Sequence, residues 1–339
     1  MSIKPSLTSG DVPTGVVLEL TYKCNHACLF CSCPWEADRS FKKPELSTQE
    51  WKAVIDKLVS LGASAVTLSG GEPTTRPDLP ELIQYLGAIK EVRYKNLVTN
   101  ATLMTEDILD LLVENGFDFS TSLPGLKTYR KHTKAGSPQN VLAWIEKAHS
   151  RGLDVMTGIA VTKLNLPELF ETMSYALLYG ADSILLNRFV PGGRGLKHRA
   201  RLELDRADIN TMLDIAEQVL QSARRPGYTG TEIPYCVIDE PEKYERLTIG
   251  HLCLAAKNFF AVDPSGYVRA CNHSPVRVGT LDNFTQSEYW KALRDKDYTP
   301  ERCVACSKRS FCDAGCREAA HICNGTLSSD DTIFSTKTV

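Results

Sequence analysis

Three thiols fall within eight residues at Cys24, Cys28 and Cys31, in the stretch CNHACLFC that follows the first apolar, β-branched run. Thiolates bind soft metals and iron-sulfur clusters, and three on one short loop can wrap a single corner of a compact metal centre. Scattered at random, the twelve cysteines of this 339-residue chain would give that spacing about 0.015 times. Cys33 follows at once, no cysteine occurs for the next two hundred residues, and eight more lie between Cys236 and Cys323. The amino terminus, MSIKPSLTSGDVPTG, has no apolar h-region. The expected compartment is therefore the cytoplasm, where disulfides are disfavoured and cysteine clusters read as metal ligands. Two separate metal regions are implied.

The elements that must position these thiols are legible from the period of the apolar residues. From residue 16 onward, short β-branched runs alternate with longer amphipathic stretches, the pattern of βα units around a parallel sheet. Six strands are expected: Val16 to Thr21, Ala65 to Ser69, Val92 to Thr99, Phe117 to Ser122, Asp154 to Val161 and Ser183 to Phe189. Ser47 or Thr48 caps a helix through about Leu61, with Glu50 placed for a capping box on Ser47. Thr105 opens a helix that stops at Gly116; Pro138, Pro167 and Asp205 mark later starts, and Gly152 and Gly180 later stops. Six units are two short of a closed barrel, so the sheet is expected to be an open arc with a side gap for substrate and its chemistry at the C-terminal strand edge. The stretch RPGYTGTEIP after Arg224 reads as a linker and residues 328–339 as a polar tail. The predicted domains are an N-terminal segment to residue 15, the barrel over 16–200, its last helix and a linker over 201–235, a cysteine-rich module over 236–325 and a tail over 326–339.

With Phe30 before Cys31, the first motif resembles the CxxxCx(aromatic)C loop of the radical S-adenosylmethionine (SAM) superfamily. That resemblance implies an α/β fold, a partial (β/α)6 TIM-like barrel. It also implies that the three cysteines ligate three irons of a [4Fe-4S] cluster, leaving the fourth iron to the amino and carboxylate groups of SAM. Further motifs follow successive strands. Ser69-Gly70-Gly71-Glu72-Pro73 resembles the GGE motif, whose glycines admit close backbone approach and whose Glu72 would accept from the SAM ammonium. Thr99-Asn100 resembles the TN(G) position, with Ala101 in place of glycine; Ser122 falls at the ribose position and Val190 near the adenine platform. Asn165 and the run from Asn187 to Gly193 resemble later strands of the same superfamily. A zinc site, completed by Cys33 or His26, is the alternative for the triplet.

The order Cys253-x12-Gly266-x4-Cys271, then Cys303-x2-Cys306-x5-Cys312-x3-Cys316, then Cys323, resembles the SPASM domain, which carries auxiliary iron-sulfur clusters. The resemblance implies that Cys253, Cys271 and Cys316 hold a first auxiliary cluster and Cys303, Cys306, Cys312 and Cys323 a second. Cys236 is the candidate for the vacant position in the first; otherwise it is a free thiol and that cluster has an open iron. Cys33 is left over, either packed near the loop or a group at the active-site mouth. Paired CxxC zinc ribbons are the alternative for the whole array.

These features imply a radical SAM enzyme that splits SAM reductively and oxidises its substrate, most often, in the resembled family, a ribosomally made peptide or protein. An enzyme acting on a small molecule (a cofactor intermediate, sugar or tetrapyrrole) is the second reading, and a non-catalytic iron-sulfur electron carrier the third. An electron donor of flavodoxin or ferredoxin type is implied. About fifteen residues precede the first strand, fewer than the ~80 of a fused leader-recognition domain, so a separate peptide-recognition protein or direct entry through the barrel gap is expected. A net charge of −2 gives no footprint for nucleic acid or an acidic membrane, and no apolar run approaches the ~18 residues of a span. Tyr22, His26, Cys33, Glu36, Arg188 and His273 are the conceivable acid, base or hydrogen-donor residues.

Overall fold

The computed structural model describes residues 12–334. The barrel half alternates strand and helix: β1 (Gly15–Glu19), α1 (Thr48–Ser60), β2 (Ala65–Ser69), α2 (Leu79–Gly87), β3 (Tyr94–Thr99), α3 (Glu106–Glu114), β4 (Asp118–Ser122), α4 (Tyr129–Thr133), α5 (Pro138–Ser150), β5 (Val155–Val161), α6 (Leu169–Leu178) and β6 (Ser183–Arg188). All six expected strands form: β2 has the expected bounds, β1 runs from one residue earlier to two residues short, and the other four are shorter by one or two residues at one end. The local signals hold as well. Ser47 accepts from the Glu50 amide while Glu50 reaches back to the Ser47 amide, closing the capping box. Trp51, Ile55 and Leu58 then bury one face of α1 at four- and three-residue spacing.

α7 (Arg199–Leu202) and α8 (Arg206–Ala223) follow, then β7 (Gly227–Thr229) and β8 (Leu247–Thr248). The stretch expected as a linker therefore contains a strand. Gly227, Tyr228 and Thr229 pair in parallel with Ile184, Leu185 and Leu186 of β6. Glycine and proline there shape a short strand between turns, and three residues are too few to show a hydrophobic period.

β9 (Phe259–Val262), β10 (Val268–Arg269), β11 (Arg277–Gly279), α9 (Glu288–Asp295) and α10 (Arg317–Asn324) complete the order. The cysteine-rich half is welded to the barrel: β9 pairs in parallel with β1, Gly15 opposite Phe259 through Leu18 opposite Val262. One sheet results, ordered β11-β10-β9-β1-β2-β3-β4-β5-β6-β7-β8. It is open, as expected, with β8 and β11 at its edges. The weld is also ionic, because Arg269 on β10 donates to the Glu19 carboxylate at the end of β1, both side chains buried.

The expected polar tail is packed as far as residue 334. Asp331 is fully buried and a short 3-10 turn spans Thr332–Phe334; residues 335–339 lie outside the described part. Among the described residues no helix is long and apolar enough to cross a membrane.

Candidate active site

Parallel pairing aligns the C-terminal ends of the first six strands, Glu19 beside Ser69, Thr99 beside Thr121 and Arg188 beside Val161. The loops beyond those ends meet on the cysteine triplet. The loop that carries it is pinned from four directions. The turn after β2 donates from Gly71 N to Thr21 O at 2.7 Å and from Glu72 N to Lys23 O at 2.8 Å. Beyond β3, Asn100 Nδ2 donates to Asn25 Oδ1 at 2.7 Å. The carbonyls of Thr133 and His132, at the end of α4, accept from Ala27 and Leu29 at 3.0 and 2.8 Å. After β6, Gly195 N donates to Cys31 O at 3.0 Å and Arg194 to Cys28 O at 3.1 Å.

Close approach explains the glycines. A Cβ on Gly71 would lie 2.2 Å from the Lys23 carbonyl oxygen, and one on Gly193 2.4 Å from that of Cys33. Both partners are backbone, so relief of either contact requires the loop itself to shift. Ala101 takes the left-handed region at φ 58° while fully buried, a conformation that glycine enters without the roughly 1–2 kcal/mol cost to an L-residue.

The three thiols lie close enough for their charges to interact. Burial pushes the Cys24 thiol up to about 11 and Cys28 higher still. Burial works against the thiolates of Cys24 and Cys28, which a cationic metal core bonded to them would offset, whereas a hydrogen bond from Cys33 holds the Cys31 thiol below the usual range. The His26 amide donates to Cys24 Sγ at 3.4 Å, as a ligating sulfur requires, and the Arg194 guanidinium is the neighbouring cation. Three thiols on a fixed backbone, with adjacent N–H and guanidinium donors, fit a cluster. Arg194, paired with Glu36, was missed in the sequence because the glycines of PGGRG masked it as a turn.

Glu72 is engaged within the protein rather than free. Its Oε1 accepts from Thr99 Oγ1 at 2.5 Å and from the hydroxyl and amide of Thr74 at 2.7 and 3.2 Å; Oε2 accepts only from Asn100 N at 2.7 Å. Oε2 therefore keeps acceptor capacity that Oε1 does not. Gly70 and Pro73 complete the turn, Pro73 buried at the start of a 3-10 segment. Ser122 is half-buried at the end of β4. Val190 is buried against Cys316 and Ala319, at the seam with the cysteine module.

Five of the six conceivable acid-base residues, Tyr22, His26, Cys33, Glu36 and Arg188, have structural partners. Tyr22 meets Ser265 at 2.7 Å and Arg277 at 2.9 Å, and His26 meets Thr102 at 2.8 Å. Arg188 is buried between Asp331 and the Glu232 carbonyl. Asn165 closes its own turn onto Thr162 and Ala160, and Asn187 Oδ1 accepts from Thr231. The Cys33 thiol donates a hydrogen bond to the Cys31 sulfur. Burial pushes His273 down to about 4, keeping it neutral.

In the second module, the β9-β10 hairpin turns at Gly266 and brings the two flanking cysteines together, Ala256 N donating to Ala270 O at 3.1 Å. Cys253, Cys271 and Cys316 are all buried and mutually close. Two buried carboxylates set them: Asp313 Oδ2 accepts from Cys253 N at 2.8 Å and Asp331 Oδ2 from Cys316 N at 2.6 Å. Arg317, fully buried, donates to the carbonyls of Ala314, Gly315, Leu327 and Ser329 and so braces the loop that carries Cys312 and Cys316. Polar residues inside a cysteine loop give no sequence signal for this role.

Cys236 is not placed as expected. The 3-10 turn Tyr235–Val237 sets it in one cavity with Cys303, Cys306 and Cys312, while the buried triplet has Glu232, Glu318, Asp331, Arg188 and Arg269 as its charged neighbours. Cys323, expected with Cys303, Cys306 and Cys312, faces Arg199, Glu203 and Asp331. Among the described residues no three His, Cys, Asp or Glu side chains converge on a single-ion site.

The family described as the radical SAM superfamily matches residues 18–176. The chain is 30% identical to a PqqA peptide cyclase of Bradyrhizobium diazoefficiens, covering 94% of this chain and 85% of the relative. It is also 30% identical to an AdoMet-dependent heme synthase of Methanosarcina barkeri, covering 93% and 94%. In fold it is similar to Streptococcus suis SuiB bound to S-adenosylmethionine, with a TM-score of 0.74 at 16% identity over 96% of this chain and 78% of that one.

Proposed function

The chain belongs to the radical SAM superfamily, and from that premise we propose that it oxidatively modifies a ribosomally made peptide, with Cys24, Cys28 and Cys31 as ligands of its catalytic [4Fe-4S] cluster. When bound, that cluster and S-adenosylmethionine supply a 5′-deoxyadenosyl radical that takes hydrogen from an unactivated carbon. The observation that carries the reading is the meeting of four strand-end loops on the cysteine triplet. The pinned backbone fixes the three thiols; the Gly70–Pro73 turn and Glu72 would hold the methionyl end of SAM, and Asn100, Ser122 and Val190 would hold its nucleoside. Cys253, Cys271 and Cys316 serve one auxiliary cluster; Cys303, Cys306 and Cys312 contribute to another. Two auxiliary centres suit a two-electron oxidation, since each turnover must dispose of a second electron. A flavodoxin or ferredoxin in the cytoplasm is the electron donor, and the peptide enters by the open side of the sheet, directly or with a recognition protein.

Peptide as substrate is supported by the PqqA peptide cyclase relative. The heme synthase relative, at equal identity, supports a second reading in which a tetrapyrrole is the substrate. Anaerobic holoenzyme incubated with SAM and dithionite separates them. A short peptide encoded beside the gene should raise 5′-deoxyadenosine and emerge lighter by two hydrogens, and Cys24→Ala should abolish both. Stimulation by a porphyrin carboxylate, with no mass change in the peptide, decides for the second reading. No 5′-deoxyadenosine under any condition defeats both.

A further inference from the structure

We infer that the second auxiliary cluster is held by Cys236, Cys303, Cys306 and Cys312, and that Cys323 is not a ligand. The inference rests on the iron-sulfur reading of the second module and changes which thiols complete it. Four thiols line one cavity, contributed by two segments well separated in sequence. The 3-10 turn Tyr235–Val237 supplies Cys236, and the loop from the 3-10 turn Glu301–Cys303 to Ala314 supplies the other three. The two segments are joined at the sulfurs, because Tyr235 N donates to Cys312 Sγ at 3.5 Å. An amide aimed at a thiol sulfur is the contact that stabilises a metal-bound thiolate. Lys308 and Arg309 line the same cavity and offset the negative charge that four thiolates bring.

Cys323 lies seven residues beyond Cys316, near the end of α10, and its charged neighbours are Arg199, Glu203 and Asp331. Arg199 and Glu203 already form an ion pair at 2.8 Å, so the thiol packs beside charges that pair with each other. Four thiolates saturate the four irons of a cubane, so the second cluster has no place for a substrate or solvent ligand. The buried triplet of Cys253, Cys271 and Cys316 then lacks a fourth thiol. The charge of Glu232 acts on both Cys253 and Cys316, which places this carboxylate beside the buried triplet. Any exchangeable auxiliary iron belongs to the buried cluster.

The test compares wild type, Cys236→Ala and Cys323→Ala, purified and reconstituted without oxygen, by iron and sulfide content and by electron paramagnetic resonance. Wild type and Cys323→Ala should each hold about twelve irons, and Cys236→Ala should fall to about eight, at four irons per cubane. Loss of four irons in Cys323→Ala, or full iron in Cys236→Ala, overturns the inference. About four irons in wild type defeats the auxiliary-cluster reading itself. Should Cys236→Ala fail to fold, iodoacetamide labelling of wild type decides. Cys236 should be protected in holoprotein and labelled after chelation, with Cys323 labelled equally in both; the reverse pattern overturns the assignment.

Discussion

The Arg188 guanidinium donates to Asp331 Oδ2 at 2.5 Å, with the two side chains 3% and 0% exposed. This joins the last strand of the six-unit arc to the far end of the described chain. The same Asp331 oxygen accepts from the Cys316 amide at 2.6 Å, so the ion pair also sets one of the buried thiols. Removing one partner of such a pair strands the other charge, which costs about 3–5 kcal/mol, whereas replacing both is far less costly. Arg188→Met and Asp331→Asn should each lower the unfolding midpoint clearly. The double variant should recover most of the loss, and additive single effects in a denaturant double-mutant cycle would show the pair to be uncoupled.

Gly71→Ala should displace the cysteine loop. The new methyl would sit 2.2 Å from the Lys23 carbonyl, and the loop is the only side that can move. Expected is a folded protein whose SAM cleavage falls by at least tenfold and whose catalytic cluster signal is weakened, while the auxiliary iron is retained. Wild-type turnover in this variant would refute the close-packing account.

Arg194 bears on the electron affinity of the first cluster. Its positive charge lies beside Cys24, Cys28 and Cys31, and its guanidinium donates to Cys28 O. A nearby cation favours the reduced, more negative state of a centre. Arg194→Met should shift the catalytic cluster to a more negative potential in a spectroscopic redox titration, and Arg194→Lys should shift it less. An unchanged potential in Arg194→Met argues that solvent screens the charge.

His132 gives the barrel an acid-sensitive support beneath the cysteine loop. It is fully buried, with Nε2 2.8 Å from Thr162 Oγ1 and Nδ1 3.2 Å from Thr128 Oγ1, and its carbonyl accepts from Leu29 N. Burial pushes it down to about 4 from an ordinary value of 6.5. Between those values the unfolded chain binds a proton that the folded chain refuses, so stability falls as pH drops from 6.5 toward 4. In His132→Gln that part of the acid slope should disappear, with the stability difference from wild type constant above 6.5. Parallel pH profiles for the two proteins would count against it.

Local chemistry was readable in the sequence. The Cys24, Cys28, Cys31 triplet, the capping box of Ser47 and Glu50 and the six strand cores are set by neighbours within a few residues. Spacing and period report them directly. The paired glycines before Glu72 were legible for the same reason, although the saturation of its Oε1 by Thr74 and Thr99 was not.

What the folded molecule alone decided joins distant parts of the chain. Glu19 meets Arg269 across 250 residues, β9 lines up on β1, and Cys236 reaches a cavity whose other thiols begin at Cys303. Asp331, in a run that reads as solvated tail, is buried by Arg188 and the Cys316 amide. Periodicity records which face of an element is apolar and spacing records what one loop can hold. Neither records which polar group a distant segment will bury, because that is settled only when the sheet edge closes and each buried donor must find an acceptor.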